Sequence, residues 1–190
     1  VLGNIPEIVA RYKGKKAITA LGRDAFFNPA FLRGMEQFLI DMIENPDLVH
    51  QLIELTLAHD IRAMQRVVQA GVDVIIFGDD YADKNSPLMS PRHFKEFILP
   101  GLKRCVDAAH QAGAYVIKHT DGNIMPILDM IVDTGIDGLN PLEPAAGMDI
   151  GLIKQRYGNR IALIGNIDCG YLLSQAPVDE VRKTTRETMR

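Results

Sequence analysis

The stretch Ala114-Tyr115-Val116-Ile117-Lys118-His119-Thr120-Asp121-Gly122-Asn123 carries the reading that decides the fold. A short, nearly continuous apolar run with β-branched residues, Ala114 to Lys118, gives way at once to a polar loop. Gly113, just before it, is where a helix closes. Unbroken apolar runs of this length are expected of strands buried on both faces, as in parallel sheets. The same form recurs along the chain. Val72 to Phe77 leads into Gly78-Asp79-Asp80-Tyr81, Ile136 to Leu139 into Asn140-Pro141-Leu142-Glu143-Pro144, and Ile161 to Ile164 into Gly165-Asn166-Ile167-Asp168-Cys169. Gly71, Gly135 and Gly158 close the segments that precede these runs. Ala17 to Leu21, followed by Gly22-Arg23-Asp24, is a weaker strand of the same kind.

Helix signals fill the intervals. Phe31, Met35, Phe38, Leu39, Met42 and Ile43 fall at helical spacing and predict one helix with a face on a core. Asn45-Pro46-Asp47 supplies an N-cap, a first-turn proline and an acidic residue for a longer helix running to Ala70. Ser90-Pro91 and Asp149 mark two further starts. Strand, polar loop, helix and glycine, repeated at even steps, predict an α/β fold with a parallel sheet, a (β/α)8 TIM barrel rather than an open doubly wound sheet. No Gly-x-Gly-x-x-Gly turn follows any strand, which removes the main support for a dinucleotide fold. A complete barrel takes about 250 residues. The 190 residues open at Val1 without a Met and close in a charged helical stretch. They are therefore expected to form one barrel domain, 1–190, incomplete at both ends.

Composition narrows the partners. With 21 basic against 24 acidic residues and no basic run beyond Lys15-Lys16, there is no electrostatic footprint for nucleic acid or an anionic membrane. No stretch approaches the ~20 apolar residues of a bilayer span, and the first residues lack the basic-then-apolar layout of a signal peptide. A cytoplasmic protein with reduced thiols is expected, since Cys105 and Cys169 have no disulfide or zinc-knuckle spacing. A small-molecule substrate is the expected partner; a homodimer is left open.

In a parallel barrel the C-terminal strand ends converge on one face, where catalytic groups are found. His119 and Asp121, at i and i+2, point the same way while the chain stays extended. They can share one ligand, or His119 can simply be satisfied by a backbone carbonyl. Asp79 and Asp80 are candidates for the same cavity, with loop capping as the alternative for one of them. Glu143, held between two prolines, suits a fixed ligand, a base or a structural turn. Phe77, Tyr81, Asn123 and Asn166 are candidates for substrate contact. Asp168 reads best as a helix cap and Cys105 as core. Two carboxylates about 5 Å apart repel by roughly 3 kcal/mol at an effective dielectric near 20. So many acids need relief from a shared proton, from basic groups or from a cation. With His119 alongside, a divalent metal held by His119, Asp121 and Glu143 is the most economical, with zinc or a harder ion compatible with the donors.

The order Asp79-Asp80, then Ser90-Pro91-Arg92-His93-Phe94 to Pro100, then His119-Thr120-Asp121-Gly122-Asn123, then Gly165-Asn166-Ile167-Asp168 resembles the uroporphyrinogen decarboxylase superfamily across essentially the whole chain. The resemblance implies a (β/α)8 barrel and one of two chemistries. Haem-pathway members are metal-free decarboxylases that hold a many-carboxylate porphyrinogen with an N-terminal arginine motif, which this chain does not contain. They tend to carry Lys or another non-metal residue where this chain has His119. Corrinoid-dependent members transfer methyl groups from donors such as methanol, methylamines or methoxylated aromatics, and bind zinc through a His-x-Cys pair and a later cysteine. His119 matches that histidine, but Asp121 stands in place of the cysteine. The leading expectation is a metal-assisted methyltransferase serving a corrinoid on a partner protein. In it His119 and the carboxylates hold the metal, and Asp79 or Asp80 orients or protonates the leaving group. Uroporphyrinogen decarboxylation without a cofactor is the alternative, and a non-catalytic binding barrel the third.

Overall fold

The computed structural model describes residues 2–190. Five strands, β1 (Thr19–Gly22), β2 (Val74–Phe77), β3 (Tyr115–His119), β4 (Gly138–Asn140) and β5 (Ala162–Leu163), form one sheet in the order β1-β2-β3-β4-β5. Every neighbouring pair is parallel. The strand order never reverses, as it must in a doubly wound sheet. These are successive staves of a (β/α)8 barrel, five of its eight, as the repeated strand-loop-helix form predicts.

Helix α1 (Ile5–Tyr12) precedes β1, and α2 (Phe27–Arg33), α3 (Met35–Glu44) and α4 (Pro46–Gln69) connect β1 to β2. Between β2 and β3 a single turn, α5 (Pro91–His93), runs through a wider π turn at Phe94–Ile98 into α6 (Leu99–Ala112). Shorter helices α7 (Leu128–Val132) and α8 (Ile150–Tyr157) complete the next two crossovers, and α9 (Leu172–Gln175) and α10 (Val178–Thr188) follow β5. Asn45 makes no side-chain cap and donates Nδ2 to Asp41 Oδ1 at 2.9 Å instead, but two other caps read from sequence are in place: Ser90 Oγ accepts from His93 N at 3.1 Å, and Asp149 Oδ1 from Gly151 N at 2.8 Å. Asp168 likewise accepts from the amides of Gly170, Tyr171 and Leu172.

The single helix expected over 31–43 is two. Gly34, at φ 88°, breaks it, and helical spacing continues across the break, so periodicity alone does not reveal it. Phe38 and Met42 are buried as expected, whereas Phe31 and Ile43 are exposed. Arg33 Nε donates to buried Asp41 at 2.6 Å and fastens the two helices to each other.

Strand alternation sorts the side chains into two sets. Ile75, Phe77, Val116, Lys118 and Leu139 are all 1% exposed or less and pack toward the helices. Ile76, Ile117 and His119 alternate with them and are half-buried on the inner side. The helical layer is close-packed around Phe38, Leu57, Phe94, Ile98 and Leu102, each contributing about 1.5–3 kcal/mol by burial. Gly101 on α6 faces Ala25 and Leu57, and a Cβ there would lie 2.5 Å from the Ala25 Cβ. This glycine lets α6 approach the loop after β1. Gly101→Ala is expected to destabilise the protein by about 1–3 kcal/mol through overpacking, read as a lowered urea midpoint. An unchanged midpoint would show that the loop has room to yield.

Candidate active site

His119 is the last residue of β3 and pairs in register with Asn140, the last of β4. Its Nδ1 lies 2.6 Å from Asn140 Oδ1. With that oxygen as acceptor, Nδ1 carries the proton and Nε2 presents a lone pair. Nε2 faces Asp80 Oδ1 at 3.7 Å and Asp121 Oδ2 at 3.9 Å. Asp80 Oδ1 also accepts from Asp121 N at 3.0 Å, which locks the two loops together. One ligand atom from each of Asp80, His119 and Asp121 lies within 4.8 Å of the others. The Asp121 carboxyl is pushed above its ordinary range, first by burial and then by Asp80, with His119 opposing and Glu143 adding to the rise. Three acceptors facing one another need a proton or a cation between them.

Glu143 is not the third member of that group. Its Oε2 accepts from Gly122 N at 3.0 Å. Gly122 sits at φ 82°, where a Cβ would come 2.3 Å from Asp83 O, so Glu143 braces a turn only glycine can make. Asp80 takes the place the sequence reading gave to Glu143.

Asp79 points the other way from Asp80 and is fully buried. Its Oδ2 accepts from the amides of Asp24 (3.3 Å), Phe26 (3.2 Å) and Phe27 (2.8 Å) at the start of α2. Below it, Lys118 Nζ donates to Asp24 Oδ2 and to Asp79 O, both at 2.7 Å, and lies 3.9 Å from the centre of the Tyr81 ring. Tyr81 donates its hydroxyl to Asp24 Oδ1 at 2.7 Å. Burial above all, then the charge of Asp24, pushes Asp79 up to about 7, against the pull of Lys118 and the Phe27 amide. Buried in this way, Asp79 ties the loop after β2 to the start of α2.

Phe77 and Tyr81, expected at the substrate, are placed away from the inner cluster. Both lie in the core, 1% and 0% exposed, because they share the parity of Ile75. Asn123 and Asn166 are half-buried and bonded to nearby backbone. Asn123 Oδ1 accepts from Met125 N at 3.1 Å, while Asn166 Nδ2 donates to Leu142 O and Met148 O, both at 2.6 Å. Asp24, Lys118 and Arg23 were missed by the sequence reading. Lys118 had a signal: it shares parity with Val116 in a buried strand, so it must lie under the helices and needs an acidic partner. A cavity of about 690 Å³ opens beside the cluster, with Arg23, Gly78, His119 and Asn140 among its lining residues.

Fold and site together define a parallel-strand α/β barrel protein with its titratable groups gathered at the C-terminal strand ends. The family model of uroporphyrinogen decarboxylase (URO-D) matches residues 25–190, and the chain belongs to that family. It is 28% identical over 151 residues to the Methylcobamide:CoM methyltransferase MtaA of Methanosarcina barkeri, covering 80% of this chain and 42% of that protein. To the uroporphyrinogen decarboxylase of Coxiella burnetii it is 27% identical over 147 residues, covering 70% of this chain and 36% of the relative. The chain thus spans about two-fifths of the length of these relatives. A solved methyltransferase from Methanosarcina mazei shares the fold with a TM-score of 0.81 at 24% identity, over 99% of this chain and 54% of the other.

Two outcomes follow from the buried charges. Lys118→Met strands the buried Asp24 carboxylate and the Asp79 carbonyl beneath the site and is expected to cost about 3–5 kcal/mol, read by urea unfolding at neutral pH. The Asp79 carboxyl titrates near 3.8 when unfolded and near 7 when folded. Between those values the folded state holds more protons, so this group makes stability fall as pH rises from about 4 to about 7. Asp79→Asn is expected to remove that decline, which is at most about 4 kcal/mol. Parallel pH-stability curves for the two proteins would count against a buried protonated Asp79.

Proposed function

We propose that this is a metal-assisted methyltransferase, moving a methyl group from a small methoxylated substrate to a corrinoid carried by a partner protein. The observation that carries this is the grouping of Asp80, His119 and Asp121 at the strand ends. The donors fit a divalent ion: a neutral imidazole nitrogen, oriented through its other nitrogen by Asn140, meets two carboxylate oxygens. One nitrogen and two oxygens suit zinc and also tolerate a harder ion. A resemblance to a protein named for methylcobamide supports the same branch.

A bound ion would supply Lewis acidity toward an ether oxygen. The rest is the work of this chain. His119, Asp80 and Asp121 would hold the ion, Asn140 fixes the imidazole ring, and Glu143 with Gly122 fixes the loop that carries Asp121. Asp79, Asp24 and Lys118 hold three strand ends in place from beneath. When the methyl group leaves, the oxygen keeps the bonding electron pair and takes up a proton. Asp80, half-exposed and on the inner side, is placed to orient that oxygen, and the proton comes from water.

His119→Ala is expected to abolish metal binding and methyl transfer together, with elemental analysis and a corrinoid-methylation assay as readouts. Metal affinity is expected to weaken as pH falls, because a protonated ring cannot coordinate. A metal-free protein that decarboxylates uroporphyrinogen at an undiminished rate would replace this reading with the decarboxylase one.

A further inference from the structure

We propose that Arg23 recognises an anionic group on the ligand, so that the cavity selects a small molecule with one carboxylate on a compact apolar body. The inference deepens the preceding reading, in that it takes the cavity beside the cluster as the substrate site. It begins with strand register. Gly22 pairs with Phe77, and Phe77 with Lys118. One position further on, Arg23, Gly78 and His119 therefore stand in a row across three neighbouring strands, with Asn140 beside His119. All four line the same cavity.

Arg23 follows exposed Leu21 by two positions, so alternation turns it to the inner side, while Asp24 turns under the helices. Its side chain is 43% exposed. Nη1 donates to Gly78 O at 3.0 Å and reaches Asp79 Oδ1 at 3.4 Å, and the guanidinium lies 5.1 Å from the Phe27 ring centre. These contacts fix the side chain yet use only one nitrogen. Among the described residues, Nε and Nη2 donate to no protein acceptor, which leaves one edge of the fork for a bidentate carboxylate.

Gly78 separates Arg23 from His119, and the space a Cβ would take there meets nothing within 4 Å. Two strand spacings, roughly 10 Å, separate the two residues along the row. That gap suits a ligand of one ring. Leu21, Ile76 and Met64 add apolar lining. Asp60 also borders the cavity, but its oxygens face Asn28 Nδ2 at 2.7 Å and His59 Nδ1 at 3.3 Å. Arg23 is thus the cation placed to meet an anion, at the far end of the row from the three acceptors at His119.

The test compares benzoate with benzamide, which match in shape and differ in charge, by titration calorimetry on the wild type, Arg23→Met, Arg23→Lys and Gly78→Val. The wild type is expected to favour benzoate by about tenfold or more, and Arg23→Met to bring the two within about twofold, with Arg23→Lys between. Gly78→Val is expected to weaken both probes while Arg23 remains. Inorganic phosphate, charged but without an apolar body, is expected to displace benzoate poorly. An undiminished benzoate preference in Arg23→Met would overturn the assignment, and so would a wild type that is indifferent or binds neither probe. Efficient displacement by phosphate would overturn the apolar part. Metal content separates this from the wider reading. A metal-free protein whose benzoate preference needs Arg23 sinks the methyltransferase proposal alone, and a metal-loaded protein without that preference sinks this one alone.

Discussion

Lys118 is the point on which the site rests. A lysine with no exposure is costly unless its charge is met, and here it is met three ways: by Asp24 from the loop after β1, by the Asp79 carbonyl from the loop after β2, and by the face of the Tyr81 ring. The ammonium ties together three consecutive strand ends. The loop after β2 and the end of β3 carry Asp80 and His119 in turn, so the geometry of the exposed cluster is inherited from the buried one. The same crowding bears on Asp79, whose carboxyl is pushed up first by burial and then by the charge of Asp24 beside it.

The division of labour follows from the two-residue period of a strand. Ile75, Phe77, Asp79 and Tyr81 share one parity and face the helices, while Ile76, Gly78 and Asp80 share the other and face inward. In the neighbouring strand, Val116 and Lys118 go under and Ile117 and His119 go in. The adjacent acids Asp79 and Asp80 are thus unrelated in placement: one is buried under the helices with its carboxyl pushed up, the other half-exposed and free to act as a ligand. The sheet makes two charged layers from one short stretch of sequence.

Much of this was legible in the sequence. The strands, the parallel order and the polar loops announced themselves through apolar runs ended by polar residues, and the pairing of His119 with Asp121 followed from spacing. The burial of Asp79 and Tyr81 follows from the same parity rule once a fixed point is chosen. Phe77, an apolar residue at the end of a buried run, already implied that Asp79 and Tyr81 point under the helices. Other features had no local signal. The break at Gly34 falls inside a pattern that continues across it, and the choice of Asp80 over Glu143 depends on loops 41 and 21 residues apart. The partnership of Asp24 with Lys118 spans 94 residues. Contacts of that range depend on the closed fold and leave no mark on either segment alone.

The balance between the two layers bears on the chemistry the inner face can support. A carboxylate at residue 121, beside a second one at residue 80, makes the inner cluster rich in hard oxygen donors and poor in sulfur. Such donors do not build up the electron density on a bound ion that thiolates would, and the ion then keeps more of its charge for a ligand oxygen. A ligand with an ether oxygen at this end still needs a grip at its other end, because a neutral oxygen competes weakly with water for a cation. Arg23, held by Gly78 and Phe27 on the far side of the open position at residue 78, supplies a positive charge for an anionic group there. Cation at one end and guanidinium at the other would orient a ligand that is polar at both ends and apolar between, and would hold its reactive oxygen toward His119.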